Sequence, residues 1–504
     1  MSMIRLRWIA TGALLLAPAP GAAQVGNSVA QQRVPILREY LDLLAIPNIA
    51  SDTANIRRNA DRLLQMMAKR GLSPRLLEAD DVAVPPAVYG EWLVPGATRT
   101  FVIYAHYDGQ PVTPSDWKST QPFVPVLRTA RLDRPGKLIP LPAEGAAIDP
   151  EWRIYARSAS DDKLGVMAIL AAVDALRAQG QRPAFNVKIF LEGEEEAGSP
   201  NLRSVLTKHA ATLKSDGWVI VDGPAHPSGA RQVVLGVRGD VNLDIVVHGP
   251  ARPLHSGHYG NWAPNPAMML SRLLASMKDE NGRVTITGFY DDVAPLGRAE
   301  RQAIAVVPSA DAQLREDLGL ATTEGGGRSL LDLIHEPSLN INGIRSADVG
   351  EKARNVIPTT ASATLDLRLV KGNDHKRQVA RVIEHIKRQG FTVLDREPTM
   401  EERRRFAKIA TAIPQSGYNA ERTELAHPLA QSVIAAVKGS GDAVVLPTLG
   451  GSLPLYLLSE TLGAPSVTLS LANHDNNQHA EDENLRIGNL WGAIETLAAV
   501  MRMK

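Results

Sequence analysis

The sequence contains no cysteine. That excludes disulfides and thiolate ligands, so any metal would have to be held by nitrogen and oxygen. Neither sign of charge is in surplus: 55 Lys and Arg stand against 54 Asp and Glu, a formal net of +1. The global balance therefore points to neither nucleic acid nor an anionic membrane. Basic runs such as "EERRRFAK" (Glu402 to Lys408) are interleaved with acids and read as a solvated face. Beyond the N-terminus there is no long apolar run, and no internal repeat is evident. Hydrophobic residues at 44% and charged residues at 22% are ordinary for a soluble globular protein, and 504 residues exceed what one core serves. Two or more domains are expected.

The N-terminus differs. "MSMIRLRWIATGALLLAPAPGAAQ" carries Arg5 and Arg7, then an apolar stretch too short to span a bilayer, then small residues. This layout predicts a secretory signal over 1–23, cleaved after Ala23, and an exported protein, periplasmic or secreted, with no membrane attachment thereafter.

From about Val34, helix and strand signals alternate. "NIRRNADRLLQMMAKRG" has apolar residues at helical spacing and stops at Gly71; "TFVIYAHYDGQP" is a short apolar strand ending in polar residues. After "SASDDKLG", helical spacing of Val166, Ile169, Leu170, Val173 and Leu176 runs to Gly180, followed by strands in "AFNVKIFLEG" and "GWVIVDG". Such alternation predicts an α/β fold with a mostly parallel sheet. Near Gly236 the texture changes: "GDVNLDIVVHG" and "TASATLDLRLV" alternate apolar and polar, as antiparallel strands with one wet face do. Val379, Ile383 and Ile386 add a helix. The expected organisation is a catalytic domain over 30–235 and 421–504, interrupted by an inserted α+β lid or dimerisation domain over 236–420. "LIPLPAEGAAIDP" reads as a surface loop.

Five places share one feature: an apolar segment ends and a His, Asp or Glu follows. They are His106 and Asp108 in "AHYDG", Asp161 and Asp162 in "SASDDK", the glutamates of "IFLEGEEEAGS", Asp222 in "VIVDG" and His479 in "NNQHAEDE". Ligands of open α/β sheets bind outside the carboxyl ends of the strands, so these groups converge there. Imidazoles and carboxylates together suit a hard or borderline dication, zinc first. A cation would also explain why a strand entering a core ends in Glu192, Glu194, Glu195 and Glu196, since buried like charges otherwise repel.

"HYDGQP", "YARSASDDK", "EGEEEAGS" and "HAEDENL" resemble, in order, the motifs of the dizinc peptidases of peptidase family M20, which include carnosine dipeptidases, aminoacylases and glutamate carboxypeptidase-like enzymes. The resemblance implies two Zn²⁺ per subunit, with Mn²⁺ or Co²⁺ able to take similar ligands. Asp161 would bridge them, His106 and Asp222 would complete one site, and Glu196 and His479 the other. Glu195 would be the general base, and Asp108 would orient His106. Glu192 and Glu194 would be spare acids facing solvent or a backbone amide. Leu164 and "ARSAS" depart from the family's commoner Gly and "GRGA", which bears on loop shape rather than ligand chemistry.

In the same resemblance, His255 of "LHSGHYGNWAPNP" would reach into a partner subunit's site, implying a homodimer. Asn355 in "ARNVIP", Arg368 in "LDLRLV" and Ser452 in "TLGGSLP" would contact substrate. A guanidinium suits a terminal carboxylate because it donates two parallel hydrogen bonds. The implied activity is exopeptidase cleavage of dipeptides or short peptides with a free C-terminal carboxylate. The runner-up is an N-acyl-amino-acid amidohydrolase on the same centre. "GGSLP" lacks the second Gly of a serine-hydrolase elbow, and "HSGHY" is not a zincin H-E-x-x-H. A non-catalytic relative of the same fold would be expected to have lost ligands or the base, and all are present.

Overall fold

The computed structural model describes residues 20–81 and 84–504. Its largest sheet has eight strands. In spatial order they begin at Arg75, Ala87, Asn186, Thr100, Gly217, Ser466, Arg231 and Ala443. The four central strands, Asn186–Glu192, Thr100–His106, Gly217–Val221 and Ser466–Ser470, run parallel. Antiparallel partners flank them on both sides. The central strands are nearly continuous apolar runs because both faces are covered. One face packs on the helices Pro20–Leu44, Lys163–Ala178, Pro428–Ser440 and Ile487–Val500. The other buries Tyr89, Phe190 and Trp218 against Leu202–Lys208 and Tyr456–Leu462. Because the four central strands point the same way, their polar termini meet at one rim.

The helix Lys163–Ala178 is buried over almost its whole surface, so its start must be fixed locally. Asp162 caps it, accepting from the Gly165 amide at 3.1 Å. Its other oxygen accepts from the His106 amide at 3.2 Å, which ties the helix start to a strand end. The predicted stops at Gly71 and Gly180 both lie at positive φ, 62° in each case.

A second sheet of five strands has its own core. Gly239–His248 pairs antiparallel with Thr360–Leu369 through ten residues in register, and with Ile409–Tyr418 on its other side. Val241, Leu243, Ile245 and Val247 face the helices Pro266–Ala275 and His375–Arg388. The chain crosses between the two sheets twice, and the crossings lie side by side: Gly236–Val237 pairs with Glu421–Arg422. A Cβ at Gly236 or Gly239 would collide with the backbone of the returning segment, so only glycine allows this approach.

Two features carried no sequence signal. Short helices Arg298–Ala305, Asp311–Asp317 and Leu330–Leu333 form an arm, the first of them packed against the edge strand Ala443–Leu446 of the large sheet. A four-stranded sheet joins Asn484–Arg486, Arg153–Tyr155, Val126–Arg128 and Leu138–Ile139, so part of the expected surface loop is a strand.

Candidate metal centre

Strand register builds the site. Thr100–His106 lies between the strands that lead to the glutamate turn and to Asp222, which brings all three termini together. His106 is fully buried; its Nε2 is 3.0 Å from Asp161 Oδ1, 3.9 Å from Glu195 Oε2 and 4.0 Å from Asp222 Oδ2. On its other side Nδ1 faces Asp108 Oδ1 at 3.3 Å. His479 Nε2 is 3.1 Å from Asp161 Oδ2 and 3.4 Å from Glu196 Oε2. Two groups of potential ligand atoms result, each within 4.8 Å: His106, Asp161 and Asp222, and Asp161, Glu196 and His479. Asp161 belongs to both.

Asp108 also shapes the glutamate turn. Its oxygens accept the amides of Glu195 and Glu196 at 3.1 and 3.0 Å, fixing the single 3-10 turn that those residues begin. The turn separates the four acids. Glu194 points away and accepts from the Asn201 amide at 2.8 Å, as expected of a spare acid. Glu192 departs from that expectation: it is buried and accepts from the Tyr104 hydroxyl at 2.7 Å. It is the last residue of a strand interior to the sheet, so neither solvent nor a free amide is within reach, and the phenol takes their place.

The electrostatics show how crowded the acids are. Burial, reinforced by Asp161, pushes Asp222 up to about 7 and Glu196 up to about 8. Burial holds Glu195 well above the carboxylate range even though His106 opposes the shift. Burial disfavours the charged His106 ring, but Asp108 and Asp161 outweigh it and raise the imidazole. The hydrogen bond to Asp161 lifts His479 to about 9. A buried His and carboxylate set with no thiolate is the donor chemistry of a hard or borderline dication, and the residues fit such an ion. A pair of dications would neutralise acids that otherwise must hold protons.

The predicted substrate contacts fall into two places. Arg368 Nη1 donates to Ser452 Oγ at 2.9 Å, while its Nε donates to Asp366 at 3.1 Å. His255 and Asn355 are exposed and adjacent: Leu254–His255 pairs with Val356–Ile357, and the Asn355 carbonyl accepts from the Ser256 amide at 3.0 Å. His255 joins neither ligand group of its own chain. Sequence reasoning missed Gln110 and Gln478, which donate to Glu196 and Asp161 at 2.7 and 3.3 Å. It also missed Asn48, which donates to Ser158 Oγ at 2.8 Å. Ser158 stands in the departing "ARSAS" segment at φ 62°, a left-handed conformation that costs a non-glycine residue about 1–2 kcal/mol.

The model of the peptidase family M20/M25/M40 matches residues 102–503, which span every candidate ligand and substrate contact described above. The chain belongs to that family. As a member of M20 it is a peptide-bond hydrolase that depends on divalent metal. It is 27% identical to the Cys-Gly metallodipeptidase DUG1 of Candida albicans over 511 residues, covering 94% of this chain and 96% of the yeast protein. Human Beta-Ala-His dipeptidase is 25% identical, over 92% of this chain and 84% of its own. Among solved structures, the M20 metallo-carboxypeptidase Sso-CP2 of Sulfolobus solfataricus superposes with a TM-score of 0.75 at 27% identity, covering 93% of this chain and 98% of its own. Its two-part architecture is the M20 catalytic and lid arrangement.

Export, expected from the N-terminal sequence, is corrected by these comparisons: the fungal Cys-Gly metallodipeptidases that this M20 chain matches are cytosolic proteins. Residues 1–19 of the expected signal lie outside the described residues. From Pro20 onward the backbone is a continuous helix to Leu44, so the expected cleavage point at Ala23 falls inside a helix and not in a linker. Among the described residues no helix is long and apolar enough to cross a membrane.

Proposed function

We propose that this chain is a dimetal dipeptidase, with Asp161 bridging two Zn²⁺ ions. His106 and Asp222 complete one position, and Glu196 and His479 the other. The observation that carries this reading is the sharing of Asp161 between two histidine–carboxylate groups with Glu195 beside them. When bound, such a pair supplies Lewis acidity to the scissile carbonyl and brings the pKa of water towards ~7.

The residues then divide the work. Glu195 takes the proton of the attacking water and passes it to the leaving amine; it stands beside the ligand groups, 3.9 Å from His106 Nε2. Asp108 holds the His106 ring through Nδ1 and leaves Nε2 facing the ligand group. Arg368, already bonded to Ser452, receives the substrate's C-terminal carboxylate. Relatives named as Cys-Gly and Beta-Ala-His dipeptidases support dipeptides as the substrate class over N-acyl amino acids.

Domain roles follow the two sheets: 30–235 and 421–504 form the catalytic domain, and 236–420 the lid. The lid is also the dimerisation domain in this reading. His255 is exposed on it, and Trp262 and Val349 are 80% and 86% exposed, which is apolar surface that a second copy could cover. His255 and Asn355 would then act in the partner's site.

The test is metal analysis followed by activity on dipeptides, tripeptides and N-acyl amino acids in parallel. The reading expects two ions per chain and fastest turnover of dipeptides. Faster turnover of N-acyl amino acids would move the substrate class to the amidohydrolase reading.

A further inference from the structure

We propose that Glu483 is the positioning residue of the second cation position, the one formed by Asp161, Glu196 and His479. The inference rests on the two-ion reading above. Glu483 is fully buried, four residues beyond His479. One of its oxygens accepts from Arg157 Nη1 and the Ser158 amide, each at 2.8 Å. The other accepts from the Ser160 amide and hydroxyl at 2.8 Å each, and from the Asp161 amide at 3.0 Å. One carboxylate therefore organises the whole turn that presents Asp161, from the segment that presents His479.

The two cation positions do not depend on that clamp equally. His106 ends the strand Thr100–His106 and Asp222 follows Gly217–Val221; these strands are paired in register, so the sheet itself sets their separation. His479 has no such support. It lies in a loop between Ser470 and Asn484 without helix or strand, at φ 61°, and its side chain is 54% exposed. The clamp from Glu483 holds this loop against the Asp161 turn, beside the longer contact of Gln478 with Asp161. Ligand orientation by buried hydrogen-bond partners typically accounts for 10- to 100-fold, on the order of magnitude, in metal affinity. Here that factor should fall mainly on the second ion, because at the first only Asp161 depends on the clamp.

The experiment titrates Co²⁺ into metal-free full-length protein, wild type and Glu483→Gln, by calorimetry, with the visible absorption of each bound ion followed in parallel. The expected result is a roughly 10- to 100-fold loss of affinity for the second ion and a smaller loss for the first, which shares with the clamped turn only Asp161. Ser160→Ala, which removes one of the five hydrogen bonds, should weaken the second ion less and in the same direction, and it carries the test if Glu483→Gln does not fold. A merely structural role would lower the melting temperature of the metal-free protein and weaken both ions by the same factor. That outcome, or an unchanged second affinity, overturns the proposal. Wild-type protein that binds no second ion would instead remove the two-ion reading, and this inference with it.

Discussion

Loading the cation-free protein at neutral pH should expel protons, because acids packed around Asp161 cannot all ionise together. Glu196 stands at about 8, Asp222 at about 7 and His479 at about 9. At pH 7 the first and third are therefore mostly protonated and Asp222 is about half so. Ligands must give up those protons to bind a cation, and the raised His106 imidazole must give up its own, so more than two protons should leave per protein. Apparent affinity should then rise more than a hundredfold per pH unit between 6 and 7 and flatten above pH 9. Stability follows with a definite sign. The two carboxyls lie above their unfolded values, so their contribution is present below pH 4 and lost as pH rises through 7 and 8. His479, raised from 6.5, acts in the same direction, its contribution lost as pH rises through about 9. Cation-free protein should weaken across this window while loaded protein does not. Titration calorimetry in buffers of different ionisation enthalpy counts the released protons directly. No release at pH 7, together with affinity independent of pH from 6 to 8, would refute the electrostatic account of the site.

Glu195→Gln should keep its metal content and lose roughly 10²–10⁴-fold in kcat, read by metal analysis and dipeptide turnover on one preparation. Arg368→Ala removes a charge-assisted contact worth roughly 1.5–3 kcal/mol, so KM for a dipeptide should rise about 10- to 100-fold with metal content unchanged. Asp108→Asn should weaken metal binding about 10- to 100-fold, because Asp108 both faces His106 and holds the glutamate turn. Far from the site, buried Arg70 donates to Glu39 at 2.6 Å and to Asp174 at 2.8 Å. Arg70→Ala should cost roughly 1.5–3 kcal/mol in urea unfolding, since it removes charge-assisted hydrogen bonds, and activity per folded molecule should not change.

How much of this was legible in the sequence depends on how each residue is held. His106 and Asp222 end apolar strands, and parallel strands bring their termini to one rim, so strand pattern alone predicts that they meet. The alternation of Val241 to Val247 likewise gave the second sheet its face. Glu192 was misjudged because the run of glutamates hides where the strand stops: the strand includes it, and the next residues turn away. Glu483 was invisible for a related reason. It sits in "HAEDENL" beside Glu481 and Asp482, and nothing local says that Glu481 is exposed while Glu483 is sealed beneath the Asp161 turn. The arm from Arg298 to Leu333 has no strong period, because its helices are short and hold few buried residues. The N-terminal layout misled about export because a basic start and an apolar stretch also precede a helix that continues into the folded protein.

The central claim is that two cations share Asp161. Anomalous diffraction collected at the zinc edge from crystals of the zinc-loaded protein tests it most directly. The account predicts two peaks, one on either side of Asp161, the first also within coordination reach of His106 and Asp222 and the second of Glu196 and His479. A single peak, or peaks that leave Asp161 uncoordinated, would contradict it.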